Sequence, residues 1–301
     1  MARRPEPRYM GGQAVMEGVM MRGANSWAVA VRTPEDDIEL EVHNAPRWAE
    51  RYARIPLVRG VMMLAESLSL GFKALAWSAN RQVPEEERLS KGAMGGTIAV
   101  ALTIFTGLFI LLPAFGARGV NRWVPLEGFW LHAAEGALRL ALFIGYLLLI
   151  GRLRDVKRVF QYHGAEHKAI AAYENDVALT PTSAQRFSTA HVRCGTNFLL
   201  TVMVVTILAY SVFGRPGWAV LIASRVMLIP VVAGLSYEVI RYAAKSMARP
   251  WVATAMKPGL ALQKLTTRPP TDDQLEVAIA SLKAVLSPAQ LAEVEARGQA
   301  A

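Results

Sequence analysis

The sequence predicts a mostly α membrane protein: four transmembrane helices, a small N-terminal β module, an amphipathic helix and a cytoplasmic helical tail. Three observations carry that prediction. Four apolar runs reach the length needed to cross hydrocarbon, roughly 20 residues within a range of about 17–25. Short β-rich runs, punctuated by Gly, Asn, Pro and Asp, precede the first of them. Lys and Arg crowd three segments that the spans place on one side. Composition agrees. Of 301 residues, 53% are hydrophobic, and the mean hydropathy of +0.26 is that of spans joined to soluble parts.

Residues 10–45 hold AVMEGVMMRG, SWAVAVRTP and DIELEVHN. These runs predict an antiparallel meander, the core of a module over residues 1–50. Glu17 lies in GGQAVMEGVMMRG, where Gly11, Gly12, Gly18 and Gly23 permit tight turns and close backbone approach. That stretch reads as a ligand-approach loop or as a hairpin scaffold. It lacks GK[ST] and G-x-G-x-x-G, so it is not a phosphate loop.

Residues 56–82, within a 51–92 segment, read as a long amphipathic helix on the membrane surface or against the bundle, with a tilted span as second reading. Arg59, Glu66 and Lys73 recur every seven residues, share one face and read as a solvated stripe.

The membrane region, 93–240, contains spans at about 93–115, 129–151, 196–213 and 218–240. The first carries no charge. The second opens with His132, Glu135 and Arg139, and the fourth carries Arg225. Both run from outside to inside, which puts Glu135 and Arg225 at matching depth. A lone charge there costs from about 3 kcal/mol upward, so an intramembrane ion pair is expected, with His132 on the Glu135 face. It serves as a bundle lock or as part of an ion or substrate path.

Segment 1–92 carries 13 Lys and Arg, loop 152–195 carries 7 and the tail from 241 carries 8; the loops 116–128 and 214–217 carry 2 and 1. The positive-inside rule puts both termini and loop 152–195 in the cytoplasm, across a bacterial inner membrane. The net charge of +9 then needs no nucleic-acid partner, and no basic patch is interleaved with aromatics. The expected partner is the lipid bilayer, with a homo-oligomer left open. The single cysteine, Cys194, excludes an intrachain disulfide and fits a reducing compartment. No apolar core of signal-peptide length follows the first arginines. The tail, 241–301, reads as a Pro-broken linker followed by a helix capped by Thr271 or Asp272. A short second helix has Ser287 as N-cap and Pro288 at N1.

The chemistry concentrates in HGAEH, residues 163–167, on a predicted helix over about 155–175. His163 and His167 then share a face about 6 Å apart along the axis, within reach of one divalent ion. Glu166 is offset by about 60° from His163 and is placed to act as a general base on metal-bound water rather than as a ligand. The H-x-x-E-H order is that of inverzincin metallopeptidases. Three of the five histidines, 163, 167 and 191, fall in this loop with the only cysteine. Glu174 lies roughly 10 Å along the axis from His167, too far for the same ion. The third ligand is expected from His191 or Cys194 in HVRCGTN, with Glu17 and Glu238 behind them. Binding by His163, His167, His191 and Cys194 together makes a closed structural zinc site. Binding by three leaves a position for water that Glu166 can activate, the metal lowering its pKa toward about 7. The alternative is a polar helix face without metal. Asn197 and Arg193, beside Cys194, would bind a polar substrate or cap the third span.

The blocks GGQAVMEGVMMRG, FQYHGAEHKAIAAYE, HVRCGTNFLL and LIPVVAGLSYEVIRY, the last followed by LQKLTTRPPTDDQLEVAIASLKAVL, resemble the bacterial YqhQ-like family over about residues 10–286. SPAQLAEVEARGQAA lies outside the match. That family comprises integral membrane proteins described as predicted metal-dependent enzymes. The resemblance implies a multi-span bacterial membrane protein and marks Glu17, His163, Glu166, His167, His191 and Cys194 as suspected metal or active-site groups. It implies no substrate.

Three function classes follow. The first is a metal-dependent hydrolase at the cytoplasmic face, with zinc as the expected cofactor and a peptide, a lipid head group or another amphiphile as substrate. The second is a non-enzymatic membrane protein whose zinc holds the loop to the N-terminal module. The third is a transporter or channel using Arg225, Glu135 and His132, disfavoured by the lack of visible inverted repeats.

Overall fold

The computed structural model describes residues 10–88, 90–121, 123, 125, 128–191, 194–211 and 217–299. Four strands, β1 (Gly11–Val15), β2 (Gly18–Arg22), β3 (Ser26–Arg32) and β4 (Ile38–Asn44), form the expected antiparallel meander in the order β1-β2-β3-β4. The first predicted run divides into β1 and β2. Val15 pairs with Gly18 across a two-residue loop, and Glu17 takes a left-handed φ of 51° there. A side chain at residue 18 is excluded, because its Cβ would lie 2.1 Å from the Ala30 carbonyl.

The helices are α1 (Val58–Arg81), α2 (Lys91–Thr106), α3 (Leu112–Val120), α4 (Phe129–Ile150), α5 (Arg154–Glu174), α6 (Pro181–Gln185), α7 (Gly195–Ser211), α8 (Trp218–Lys245), α9 (Pro250–Thr266), α10 (Asp272–Ala284) and α11 (Pro288–Gln299). A π-helical turn, Gly107–Leu111, joins α2 to α3. Among the described residues, three stretches are long and apolar enough to cross a membrane: Gly92–Val120, Phe129–Ile150 and Val226–Lys245. The apolar α7 has 17 residues, and residues 212–216, into which the expected third span reaches, lie outside the described residues.

The sheet is covered on both faces, which its inner strands announce by near-continuous apolar sequence. One face packs Val15, Met20, Val29 and Val31 against Leu70 and Ala74 of α1. The other packs Val19, Met21, Ala28 and Ala30 against α5 and α10. β4 is the exposed edge, where Glu39 and Glu41 discourage pairing with another chain. The tail helix α10 therefore belongs to the core. Leu275, Val277, Ala278 and Leu282 are fully buried, and the Ser281 hydroxyl donates to the Ala28 carbonyl at 3.1 Å. Thr271 caps it, in a capping box with Gln274.

The charged stripe on α1 is not a solvated face. Glu66 is fully buried, paired with Arg22 of β2, and accepts the Ala49 amide at 3.0 Å. Arg59 pairs with Glu238 of α8 at 2.6 Å. Lys73 alone is exposed. The reason is that α1 is clamped at both ends. Its first half lies against α8, with Gly60 at the Tyr237 ring, and its second half lies under the sheet, with Gly71 at Gln13.

Candidate metal centre

A three-residue link joins α4 to α5, whose residues from Phe160 to Tyr173 are largely buried between the sheet, α10 and α6. HGAEH falls at the centre of that buried stretch. Gly164 has a packing reason: a Cβ there would lie 2.1 Å from the Arg268 carbonyl. The segment after α9 runs tightly along α5, and the Arg268 amide donates to the Phe160 carbonyl at 2.9 Å. The same segment delivers the Thr266 carbonyl to His163 Nδ1 at 2.8 Å. The Thr189 carbonyl meets His167 Nδ1. A carbonyl only accepts, so each Nδ1 carries the proton and each Nε2 keeps its lone pair, the arrangement of a metal-ligating imidazole.

Cys194, just before α7, brings its Sγ to 3.3 Å from His163 Nε2 and 3.1 Å from Thr196 Oγ1. The ligand atoms of His163, His167 and Cys194 all lie within 4.8 Å of one another. A tetrahedral zinc site with bonds of about 2.0–2.3 Å has ligand–ligand edges of about 3.3–3.8 Å. The cluster therefore fits a divalent ion after a small contraction.

His191 stands beside the cluster without joining it. Its ring is 5.6 Å from that of His167, and its Nε2 is 3.5 Å from Glu174 Oε2. The fully buried Gln263 of α9 holds its backbone, accepting from the His191 amide and donating to its carbonyl, each at 2.8 Å. Of the four ligands a closed site would use, the structure thus gathers three.

Glu166 is buried under β1, where a Cβ on Gly12 would lie 2.8 Å from its carboxylate. Burial raises its pKa, and the neighbouring His163 and His191 oppose that rise. Burial lowers the pKa of His167, which favours the neutral, ligating imidazole. Desolvation also lowers Lys168, whose Nζ donates to the Gln185 carbonyl at 2.7 Å.

A cavity of about 830 Å³ opens over these groups, bounded by Gly11 to Ala14 of β1, Met63 and Ser67 of α1, and Thr196 and Leu199 of α7. His163, Glu166, His167, His191 and Cys194 all line it.

The other sequence candidates lie elsewhere. Glu17 is bound by Arg158 and by the Tyr162 hydroxyl at 3.4 Å, and burial followed by the Glu17 charge raises that tyrosine. Glu238 is bound by Arg59. Neither carboxylate lines the cavity. Asn197 is buried in the first turn of α7, its backbone N–H donating to the Cys194 carbonyl at 3.1 Å and its side chain packing against Gly259 of α9. Glu135 bonds Arg139 at 2.6 Å, with His132 Nδ1 3.9 Å away. The side chain of Arg225, and all of Arg193, lie outside the described residues.

Sequence reasoning missed Thr189, Thr266 and Gln263. For Gln263 a signal exists: it is a polar residue set between Leu262 and Leu265 on a helix whose apolar face is buried. The family model described as "Protein of unknown function (DUF1385)" matches residues 55–288. The chain is 34% identical over 313 residues to the "Uncharacterized protein YqhQ" of Bacillus subtilis (strain 168), with 97% of each chain covered. No solved structure matches it.

Proposed function

The chain belongs to the DUF1385 family, and on that footing we propose, from its own site, that it is an integral membrane protein with metal-dependent hydrolase activity at the cytoplasmic face. One observation carries the reading. Three ligand atoms, from His163, His167 and Cys194, converge within 4.8 Å in the wall of a cavity that the buried Glu166 also lines. Two imidazoles and a thiolate suit zinc, and three protein ligands are the number found at catalytic zinc.

A divalent ion held there supplies Lewis acidity to a substrate carbonyl or phosphoryl and acidifies water. The protein does the rest. The Thr266 and Thr189 carbonyls fix both rings and their tautomer. Glu166 takes a proton from the attacking water and returns it to the leaving group as its bond breaks, so one water is consumed and the carboxylate is restored. Gln263 and Glu174 hold His191 at the cavity wall, where it orients substrate.

A fourth crossing by α7 is supported by parity. The sheet, α5 and α10 pack together and so share one side of the membrane. Between α5 and α10 the chain passes through α7 and the candidate span in α8, so both cross or neither does. With four crossings, the Lys and Arg distribution puts both termini in the cytoplasm.

Metal content tests the reading. Full-length protein purified in mild detergent, without chelators, should carry about one zinc per chain by mass spectrometry. His163→Ala/His167→Ala and Cys194→Ser should lose most of it. Glu166→Gln should keep the metal and its fold and lose hydrolysis, whereas a purely structural zinc site would leave Glu166→Gln silent. No metal in the wild type after reconstitution would sink the hydrolase.

A further inference from the structure

The cavity over the cluster lies where the sheet–helix domain meets the bundle. Phe160 of α5 packs with Leu147 near the end of α4 and Leu262 of α9. Cys194 directly precedes the apolar α7, and Leu199 follows about 7 Å farther along that helix. Leu199 lines the cavity and is also 39% exposed, so it faces both the site and the surroundings of the bundle.

The opposite wall is α1. Met63 and Ser67 line the cavity. Farther round the same helix, on the side turned away from Leu70 and Ala74, Leu68, Phe72 and Leu75, spaced at four and three residues, form an exposed apolar row. The first half of α1 is pinned to the span-bearing α8 by Arg59–Glu238, and by Leu57 against Gly234. Such a row on a helix tied to a span belongs at the boundary between head groups and acyl chains. The cavity lining therefore joins a polar group, His163, Glu166, His167 and Cys194, to the apolar Met63 of α1 and Leu199 of α7, between which a mouth would open beside the bundle. Its volume of about 830 Å³ matches a pocket for a head group and a few methylenes, so a longer chain must leave through the mouth.

We propose that the substrate is a membrane amphiphile. Its polar head, bearing the carbonyl or phosphoryl bond to be hydrolysed, rests over the cluster, and its long apolar chain passes between Met63 and Leu199 into the bilayer. The position of the head rests on the hydrolase reading given above. The chain exit rests on the wall composition alone.

Two metal-chelating probes separate these layers. Full-length protein in detergent is loaded with cobalt(II), and its visible absorption is followed during titration with acetohydroxamate or dodecanohydroxamate. The dodecyl probe should bind more than about tenfold tighter, since each buried methylene adds affinity. In Met63→Trp and Leu199→Trp, which narrow the mouth, that advantage should shrink to within about threefold. The cobalt spectrum of each variant reports whether its site is intact. Equal affinity for the two probes in the wild type, or an undiminished advantage in both intact variants, overturns the amphiphile proposal and leaves the metal site standing. Failure to take up cobalt, or no spectral response to either probe, overturns the metal reading and this proposal with it.

Discussion

Gly164 is a residue whose role lies in its neighbour. Gly164→Ala drives a Cβ into the Arg268 carbonyl and pushes away the segment that presents Thr266 to His163. The expected loss is about 1–3 kcal/mol of stability, seen as a lower thermal midpoint in detergent, with metal content falling alongside. Gln263→Ala strips both backbone partners from His191 and should destabilise by about 1–3 kcal/mol, because two polar groups are left buried and unpaired. Its metal should stay bound, since His191 is outside the donor cluster. At this scale the spacing of His163, Glu166 and His167 was readable, because a helix makes spacing into geometry. The orienting carbonyls of Thr189 and Thr266 were not, because any residue has a carbonyl. Glu17 and Glu238 were plausible ligands by type, and only tertiary contact reveals that Arg158 and Arg59 hold them.

Among the elements, α1 shows both what periodicity gives and what it leaves open. Its limits follow from the apolar pattern, and the structure places it over Val58–Arg81 against an expected 56–82. A seven-residue charge repeat says which residues share a face but not what covers that face. Here β2 covers Glu66, so Glu66→Ala leaves Arg22 without its carboxylate and the Ala49 amide without its acceptor. The expected cost is about 3 kcal/mol, measurable as a shift of the thermal midpoint, whereas Lys73→Ala on the exposed part of the stripe should change it little. α9, over Pro250–Thr266, was given no element in the sequence, and it forms although it holds Pro250 and Pro258. Pro250 sits at N1, where its missing N–H is harmless, and Pro258 is accommodated inside the helix. The π-helical turn was equally silent in the sequence. Arg139 Nε donates to the Phe109 carbonyl of that turn at 2.8 Å, which draws α4 to the first apolar rod.

For the whole molecule, the apolar runs and the charge bias were legible because a bilayer filters sequences by length and polarity. That the first, middle and last parts of the chain build one domain was not, since it depends on contacts such as Ser281 with Ala28. That the sheet, α5 and α10 share one side of the membrane can be tested directly. In a Cys194→Ser background, Trp123→Cys should react with an impermeant maleimide on whole cells, while Glu35→Cys and Glu295→Cys should react only after lysis. Labelling of Glu295→Cys from outside would mean an odd number of crossings. The same interleaving sets a timetable. Strands complete by Asn44 wait for α10, which ends at Ala284, and at about 5–20 residues per second of synthesis that wait is roughly 12–48 s. During that time β2 and β3 lack α10, one of the two helices that cover that face, and His163 lacks its Thr266 carbonyl until α9 has been made. The nascent chain therefore carries its apolar helices before the carbonyl that orients His163 exists, and a product truncated ahead of Thr266 is made without it.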